Sequence, residues 1–191
     1  MDSKELTQEK IDTLIGLYTE GKIDKAIKTI ENLIIDNSDE SILFNLLGAC
    51  KAAQDDIQGA LINYTKAVEI NPSYSDAYFN LGNIYQQLNQ IDESINSYKK
   101  SIELNPKFPE AHNNLGNIYQ QLFMPDEAIV QFENAIKYGP HLAEAHYNLA
   151  FILNSKGRKN DSIEHYEKCI ELNPEFVIAH NNLGKIFLDI G

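Results

Sequence analysis

A nine-residue sequence, NLGNIYQQL, occurs twice in this chain, at residues 80–88 and again at 114–122. Related segments follow the same 34-residue interval at 12–20, 46–54, 148–156 and 182–190. Periods of about 20 to 50 residues are typical of proteins that stack one small unit of secondary structure many times. The interval therefore predicts an extended array of similar units, which takes precedence over the single compact domain expected for a chain of 191 residues.

The period divides the chain into five full repeats and one half repeat. These are residues 7–40, 41–74, 75–108, 109–142, 143–176 and 177–191. In the third repeat, apolar residues recur at helical spacing over 75–88 and again over 91–104, which predicts two amphipathic helices. Asn105-Pro106 then ends the second helix, because proline disfavours helical geometry in the residue before it. We expect a single repeat domain over residues 1–191.

Small residues mark the places where the paired helices approach each other closely. The eighth place of the last five repeats holds Gly48, Gly82, Gly116, Ala150 and Gly184. A glycine inside a helix costs about 1 kcal/mol, so we expect it where a neighbouring side chain would collide with a β-carbon. The second helix offers that side chain, since an aromatic residue stands between two small ones in four repeats, at Tyr64, Tyr98, Phe132 and Tyr166.

With these features the chain resembles the tetratricopeptide repeat family over residues 7–191. The matching residues of the third repeat are Tyr78, Leu81, Gly82, Tyr85, Ser94, Tyr98, Ser101 and Pro106. The resemblance implies an all-α fold, a right-handed superhelical solenoid of antiparallel helix pairs. It also implies that the first helices line a concave groove and that the second helices form the convex back.

Charge and composition narrow the classes of partner. The net charge of −12 argues against a nucleic acid and against an anionic membrane surface, which both need a basic face. No apolar run reaches the roughly 18 residues of a membrane span. The N-terminus MDSKELTQEK lacks the apolar core of a secretion signal, and Cys50 and Cys169 suit buried thiols in a reducing compartment. We expect a cytoplasmic protein without cofactor or metal.

A column of asparagines is the strongest functional signal. The sixth place holds Asn80, Asn114, Asn148 and Asn182, and the ninth place adds Asn83 and Asn117. An amide side chain can both donate to and accept from the backbone of a bound peptide. By the resemblance these places face the groove, and similar asparagine ladders hold substrate peptides in protein O-linked N-acetylglucosamine transferases. The predicted peptide-binding residues are these six, with Phe79, Gln87, Gln121, Tyr147 and Phe151. The other interpretation is that the asparagines bond one another or water.

Three histidines, His112, His146 and His180, also recur every 34 residues. One imidazole per repeat cannot supply the three or four ligands of a zinc site, so we expect them to be packed and partly buried. His141 and His165 have no predicted partner. No catalytic motif is present in the sequence.

Three functions fit these observations. The first is a protein-interaction module that holds an extended peptide segment of a partner in the groove. In the second, the chain is the substrate-presenting arm of a longer modifying enzyme, similar to a glycosyltransferase, whose catalytic domain lies beyond Gly191. The third is an assembly scaffold that uses the convex face. The apolar residues of 177–191 further predict self-association through that segment.

Overall fold

The computed structural model of the chain describes residues 6–190, and within that range the protein has eleven α-helices and no strand. The helices are α1 (Gln8–Thr19), α2 (Ile23–Asp36), α3 (Ser41–Ala53), α4 (Ile57–Ile70), α5 (Ser75–Gln87), α6 (Ile91–Leu104), α7 (Pro109–Gln121), α8 (Pro125–Tyr138), α9 (Ala143–Ser155), α10 (Lys159–Leu172) and α11 (Val177–Ile190). The all-α prediction is confirmed. The helix ends predicted for the third repeat agree with α5 and α6 to within one residue.

The helices belong to two compact units, one ending at Leu104 and the other beginning at Asn105. In the first unit the most extensive packing is between α3 and α4 and between α5 and α6, and successive pairs are joined by contacts of α2 with α3 and of α4 with α5. In the second unit α7 packs on α8 and α9 packs on α10, while α8 contacts α9 and α10 contacts α11. Each unit is thus built from neighbouring helix pairs.

The turn inside each helix pair has one residue in the left-handed backbone conformation, always at the same place in the repeat. The residues with positive φ are Gly21, Asp55, Asn89, Phe123 and Gly157, spaced 34 residues apart. At each turn the N–H of the following residue donates to a carbonyl five residues earlier, at 2.8–2.9 Å. This bond closes a Schellman motif, which satisfies carbonyls at the end of the first helix. Phe123 is an unusual occupant, because bulky residues rarely adopt this conformation and its side chain is 92% exposed.

The predicted contact between glycine and aromatic ring is confirmed in three pairs. A β-carbon on Gly48 would lie 2.7 Å from the Tyr64 ring, one on Gly82 would lie 2.5 Å from the Tyr98 ring, and one on Gly116 would lie 2.6 Å from the Phe132 ring. The ring in each case fills the space that the missing side chain leaves. A β-carbon on Gly184 of α11 would have no atom within 4 Å, because no second helix packs on α11 within residues 6–190.

The small residues on both sides of each ring are fully buried. Two of them, Ser94 and Ser162, donate their hydroxyls at 2.8 Å to the carbonyls of Gly82 and Ala150 in the facing helix. Ser101 is also fully buried, but its hydroxyl has no hydrogen-bond partner among the described residues. Cys50 and Cys169 are free, buried thiols, as the composition predicted.

The last helix, α11, leaves much of its apolar surface uncovered. Val177, Ile178, Phe187 and Leu188 are 65%, 57%, 47% and 85% exposed, whereas Ile186 is buried in a cluster with residues of α9 and α10. None of the described helices is long and apolar enough to cross a membrane.

Candidate peptide-binding site

Two adjacent first helices of the second unit bring three asparagines together. The Nδ2 of Asn148 in α9 donates to the Oδ1 of Asn117 at 2.9 Å and to the Oδ1 of Asn113 at 3.1 Å, both in α7. We call Asn113, Asn117 and Asn148 the asparagine cluster. Asn117 and Asn148 are half-buried, and Asn113 is 2% exposed. The two bonds employ both hydrogens of the Asn148 amide, so its carbonyl oxygen stays available as an acceptor.

The first unit repeats part of this arrangement. The Nδ2 of Asn80 in α5 donates to the Oδ1 of Asn45 in α3 at 3.0 Å. The Asn45 amide in turn donates to the Tyr74 hydroxyl at 3.3 Å. Asn45 and Asn113 were not among the predicted site residues. Asn45 lies 35 residues before Asn80, and Asn113 lies 35 residues before Asn148. The fifth place of one repeat is therefore bonded to the sixth place of the next, and this pattern could have identified both residues.

Two of the predicted asparagines bond buried tyrosines. Asn83 bonds the tyrosine of its own helix pair, and Asn182 bonds the tyrosine of the preceding pair. The Tyr98 hydroxyl donates to the Oδ1 of Asn83 at 2.6 Å, and Gln86 lies 3.2 Å from the same hydroxyl. The amide of Asn182 donates to the Tyr166 hydroxyl at 3.3 Å. These bonds satisfy the polar ends of two core rings, so both asparagines have a structural role. Asn114 is half-buried on α7.

An aromatic group adjoins the asparagine cluster on α9. Tyr147 stacks on Phe176 with 5.0 Å between the ring centroids, and its ring lies 6.4 Å from that of Phe151. Phe151 is 43% exposed, which is a large exposure for such a side chain. In the first unit Phe79 is half-buried, with its ring 5.9 Å from Tyr98. Gln87 and Gln121 are exposed at the ends of α5 and α7.

Burial controls the ionisation of the tyrosines that bond the asparagines. Removal from water raises the pKa of Tyr166 to about 12, although its hydrogen bond with Asn182 opposes the shift. The pKa of Tyr74 is raised as well, first by burial and then by the nearby charge of Asp76. Both phenols therefore stay neutral near pH 7, and the polar atoms of the site are neutral amides and hydroxyls.

The three periodic histidines differ in their surroundings. His112 and His146 are each 5% exposed, so the predicted packing is confirmed for them. It is wrong for His180, which is exposed because no second helix packs on α11 within the described residues. The prediction also missed a partner for His165, whose Nδ1 lies 3.1 Å from the Nδ1 of His146. Burial lowers the pKa of both imidazoles.

The chain is built of helix pairs that repeat every 34 residues. Each pair has a turn of the same backbone conformation, and in three pairs an aromatic ring packs against a glycine. These features define a protein of the helical-repeat class. Sequence profiles of three tetratricopeptide repeat families match the chain, over residues 63–96, 82–122, and 109–142 with 143–176. Together they run from residue 63 to residue 176, which is more than half of the chain. The chain belongs to the tetratricopeptide repeat family, whose members are protein-interaction modules.

Solved structures of similar fold agree with this assignment. YrrB, a TPR protein with an unusual peptide-binding site, superimposes with a TM-score of 0.71 at 21% identity and covers 95% of this chain and 93% of its own. PilF of Pseudomonas aeruginosa gives a TM-score of 0.86 at 16% identity, covering 95% and 84%. MamA of Desulfovibrio magneticus RS-1 gives 0.73 at 17% identity, covering 92% and 98%. A sequence search of the curated proteins finds no significant match.

Proposed function

We propose that the chain binds an extended peptide segment of a partner protein, and that the asparagine cluster with Tyr147 and Phe151 is the centre of the site in the second unit. The observation that carries the proposal is the pair of bonds from Asn148 to Asn113 and Asn117. They fix the amide in one orientation before any ligand arrives. A fixed side chain loses less conformational entropy on binding than a mobile one, so its contribution to affinity is larger.

The chemistry of the cluster favours recognition of the peptide backbone. The Oδ1 of Asn148 would accept an N–H of the ligand, and the exposed ring of Phe151 would contact one of its apolar side chains. In the first unit Asn80 offers the same type of group, since its single bond to Asn45 leaves one amide hydrogen and the oxygen for a ligand. Each such bond contributes about 0.5–1.5 kcal/mol, so we expect affinity on the order of micromolar.

Two features of known proteins support the proposal without deciding it. YrrB has this fold and is a TPR protein with an unusual peptide-binding site. The asparagine column also resembles that of the O-linked N-acetylglucosamine transferases, so the role of a substrate-presenting arm is a proposal of the same kind. The structure supplies a rival explanation for the asparagines as well, since Asn83 and Asn182 bond core tyrosines.

The test is a selection of random 12-residue peptides displayed on phage, followed by fluorescence titration of the selected peptides. Asn148→Ala should weaken binding about tenfold, which corresponds to one or two hydrogen bonds. Asn160→Ala, at an exposed asparagine of α10, should leave it unchanged. Thermal unfolding of each variant separates lost contacts from lost structure. Because neutral amides make the contacts, affinity should change little between low and physiological salt.

Phe151→Ala keeps the test decisive if Asn148→Ala unfolds, because Phe151 is partly exposed and its removal breaks no hydrogen bond that holds the helices. Peptides that bind both variants as well as they bind the wild type would refute the site. Failure to select any peptide would refute the function itself.

The exposed residues of α11 favour one additional interaction, with a second copy of the chain. Val177, Ile178 and Leu188 are more than half exposed, and apolar patches of this kind promote association. Sedimentation at rising concentration should show a dimer, and Leu188→Glu should abolish it. A wild-type protein that stayed monomeric at high concentration would refute this interaction and leave the peptide site untouched.

A further inference from the structure

A recess between α9 and α10 contains a pair of histidines that the peptide site does not use. His146, on α9, is 5% exposed, and its Nδ1 lies 3.1 Å from the Nδ1 of His165 on α10. The rim of the recess carries Glu164, Glu167, Lys168 and Glu171. We call these six residues the histidine recess.

A hydrogen bond to the backbone determines which ring nitrogen of His146 keeps a free lone pair. Its Nε2 lies 3.3 Å from the carbonyl oxygen of Pro140, which can only accept, so Nε2 carries the hydrogen and donates. The Nδ1 of His146 therefore presents a lone pair toward His165. A backbone carbonyl bonded to the outer nitrogen is the usual support of a metal-binding histidine, because it fixes the tautomer and the orientation of the ring.

Comparison with the other helix pairs shows that two imidazoles meet only in this one among the described residues. His112 occupies the place of His146 in the preceding repeat and bonds the Pro106 carbonyl in the same way, at 3.1 Å. Its Nδ1, however, faces the amide of Gln131 at 2.8 Å. The corresponding recess between α3 and α4 has Phe44 and Asn63 at the places of His146 and His165, and its other lining residues are Leu61, Ile62, Thr65, Lys66 and Glu69. The common scaffold thus carries a different chemistry in the fifth repeat.

We propose that the histidine recess binds a divalent transition-metal ion of the zinc type through the Nδ1 atoms of His146 and His165. Zinc–nitrogen bonds are about 2.0–2.1 Å long, so two nitrogens 3.1 Å apart subtend an angle of roughly 100° at the ion. That angle lies between the tetrahedral and octahedral values. The ring centroids are 5.4 Å apart, so the two Nδ1 atoms face each other along a hydrogen bond, and both rings must tilt toward the ion when it binds.

Water supplies the remaining ligands in this proposal. No group of three or more His, Cys, Asp or Glu residues within residues 6–190 is arranged to hold a metal ion, so this is a site with two protein ligands. The carboxylates of Glu164 and Glu167 add negative charge, whereas Glu171 is held by Lys168 at 2.8 Å. We expect affinity on the order of 10 µM, weaker than that of structural zinc sites with four protein ligands.

The test is calorimetric titration of the tag-free chain with zinc chloride. His165→Gln reproduces the pairing of His112 with Gln131, so it should fold, and it should lower the zinc affinity at least about tenfold. His141→Gln, at an exposed histidine outside the recess, should bind zinc as the wild type does. Equal affinity in wild type and His165→Gln would overturn the proposal, and so would absence of zinc binding by the wild type.

A gain-of-site variant keeps the proposal falsifiable if His165→Gln is poorly folded. Gln131→His places a second imidazole beside His112, and we expect it to bind two zinc ions per chain where the wild type binds one. A wild-type stoichiometry in Gln131→His would contradict the role assigned to the imidazole pair. In ¹⁵N spectra of the zinc-bound wild type the Nε2 hydrogen of His146 should persist, since the metal takes Nδ1; its loss would overturn the assigned geometry.

Discussion

The ring of Tyr98 lies where the side chain of Gly82 would be, with its Cε1 only 2.5 Å from the position of a β-carbon on that glycine. The ring is fully buried, and its hydroxyl reaches past the glycine to the Oδ1 of Asn83. One contact therefore sets both the distance between α5 and α6 and the orientation of a predicted site residue.

Gly82→Ala should destabilise the protein by about 1–3 kcal/mol, because the added methyl group must push the Tyr98 ring out of its place. Gly184→Ala is the matched control, since a β-carbon there has no atom within 4 Å and should raise helix stability by up to about 1 kcal/mol. Urea unfolding measures both. In α9 and α10 the equivalent residues are Ala150 and Tyr166, and both lie in one buried cluster. The loss of stability in Gly82→Ala should therefore stay moderate if α5 and α6 can separate slightly. A Gly82→Ala variant that gained as much stability as Gly184→Ala would contradict the contact.

Phe123→Gly should stabilise the protein by about 1 kcal/mol. Phe123 has a φ of 58°, where a residue with a β-carbon is disfavoured by about 1–2 kcal/mol, and its 92% exposed ring makes few contacts that could be lost. The greater freedom of glycine in the unfolded chain offsets part of the gain. The reverse change, Gly157→Phe, should destabilise by a similar amount at the equivalent turn. Thermal and urea midpoints that fell in Phe123→Gly would show that the ring has contacts of its own.

Ser101→Ala should be neutral or stabilising by about 1 kcal/mol, since it removes a buried hydroxyl that has no partner. Ala67 and Ala135 occupy the same place in neighbouring repeats, so the methyl group fits there. Ser94→Ala is the comparison, because it loses the bond to the Gly82 carbonyl and should cost about 1 kcal/mol. Midpoints of urea unfolding that shifted equally in the two variants would disprove this distinction.

Alkaline pH should destabilise the protein, and Cys169→Ala should reduce the effect. Burial raises the pKa of the Cys169 thiol from 9.0 to about 11, and the charge of Glu144 contributes to the shift. The thiol therefore stays protonated in the folded chain while the unfolded chain ionises, so stability is complete below pH 9 and falls between pH 9 and pH 11. Urea unfolding at pH 8 and at pH 10.5 measures the difference. The raised pKa of Tyr166 remains in the variant, so part of the alkaline loss should persist.

The sequence was sufficient for the fold because each repeat carries its own local signals. Asn-Pro ends a helix whatever surrounds it, and a glycine opposite an aromatic residue predicts a close contact within one helix pair, as Gly82 and Tyr98 show. The prediction of one domain over 1–191 stays a prediction, and residues 1–5 and Gly191 lie outside the described range.

The site was less predictable, because its bonds join residues of different repeats. The cluster of Asn113, Asn117 and Asn148 depends on how α7 and α9 are aligned, and periodicity alone does not set the rotation of a side chain. For the same reason the pairing of His146 with His165, across two helices, was missed. The use of Asn80, Asn114 and the other predicted residues in peptide binding stays a prediction.

The five left-handed turns have a practical consequence. Gly21, Asp55, Asn89, Phe123 and Gly157 hold equivalent backbone positions, and all five face solvent. Backbone bonds maintain the conformation there, so the side chain is not needed to form it. A single cysteine carrying a fluorophore could therefore replace Asp55, Asn89 or Phe123, which already carry a β-carbon in this conformation, once the buried native thiols are replaced. A set of such labelled proteins would report, hairpin by hairpin, which part of the chain unfolds first.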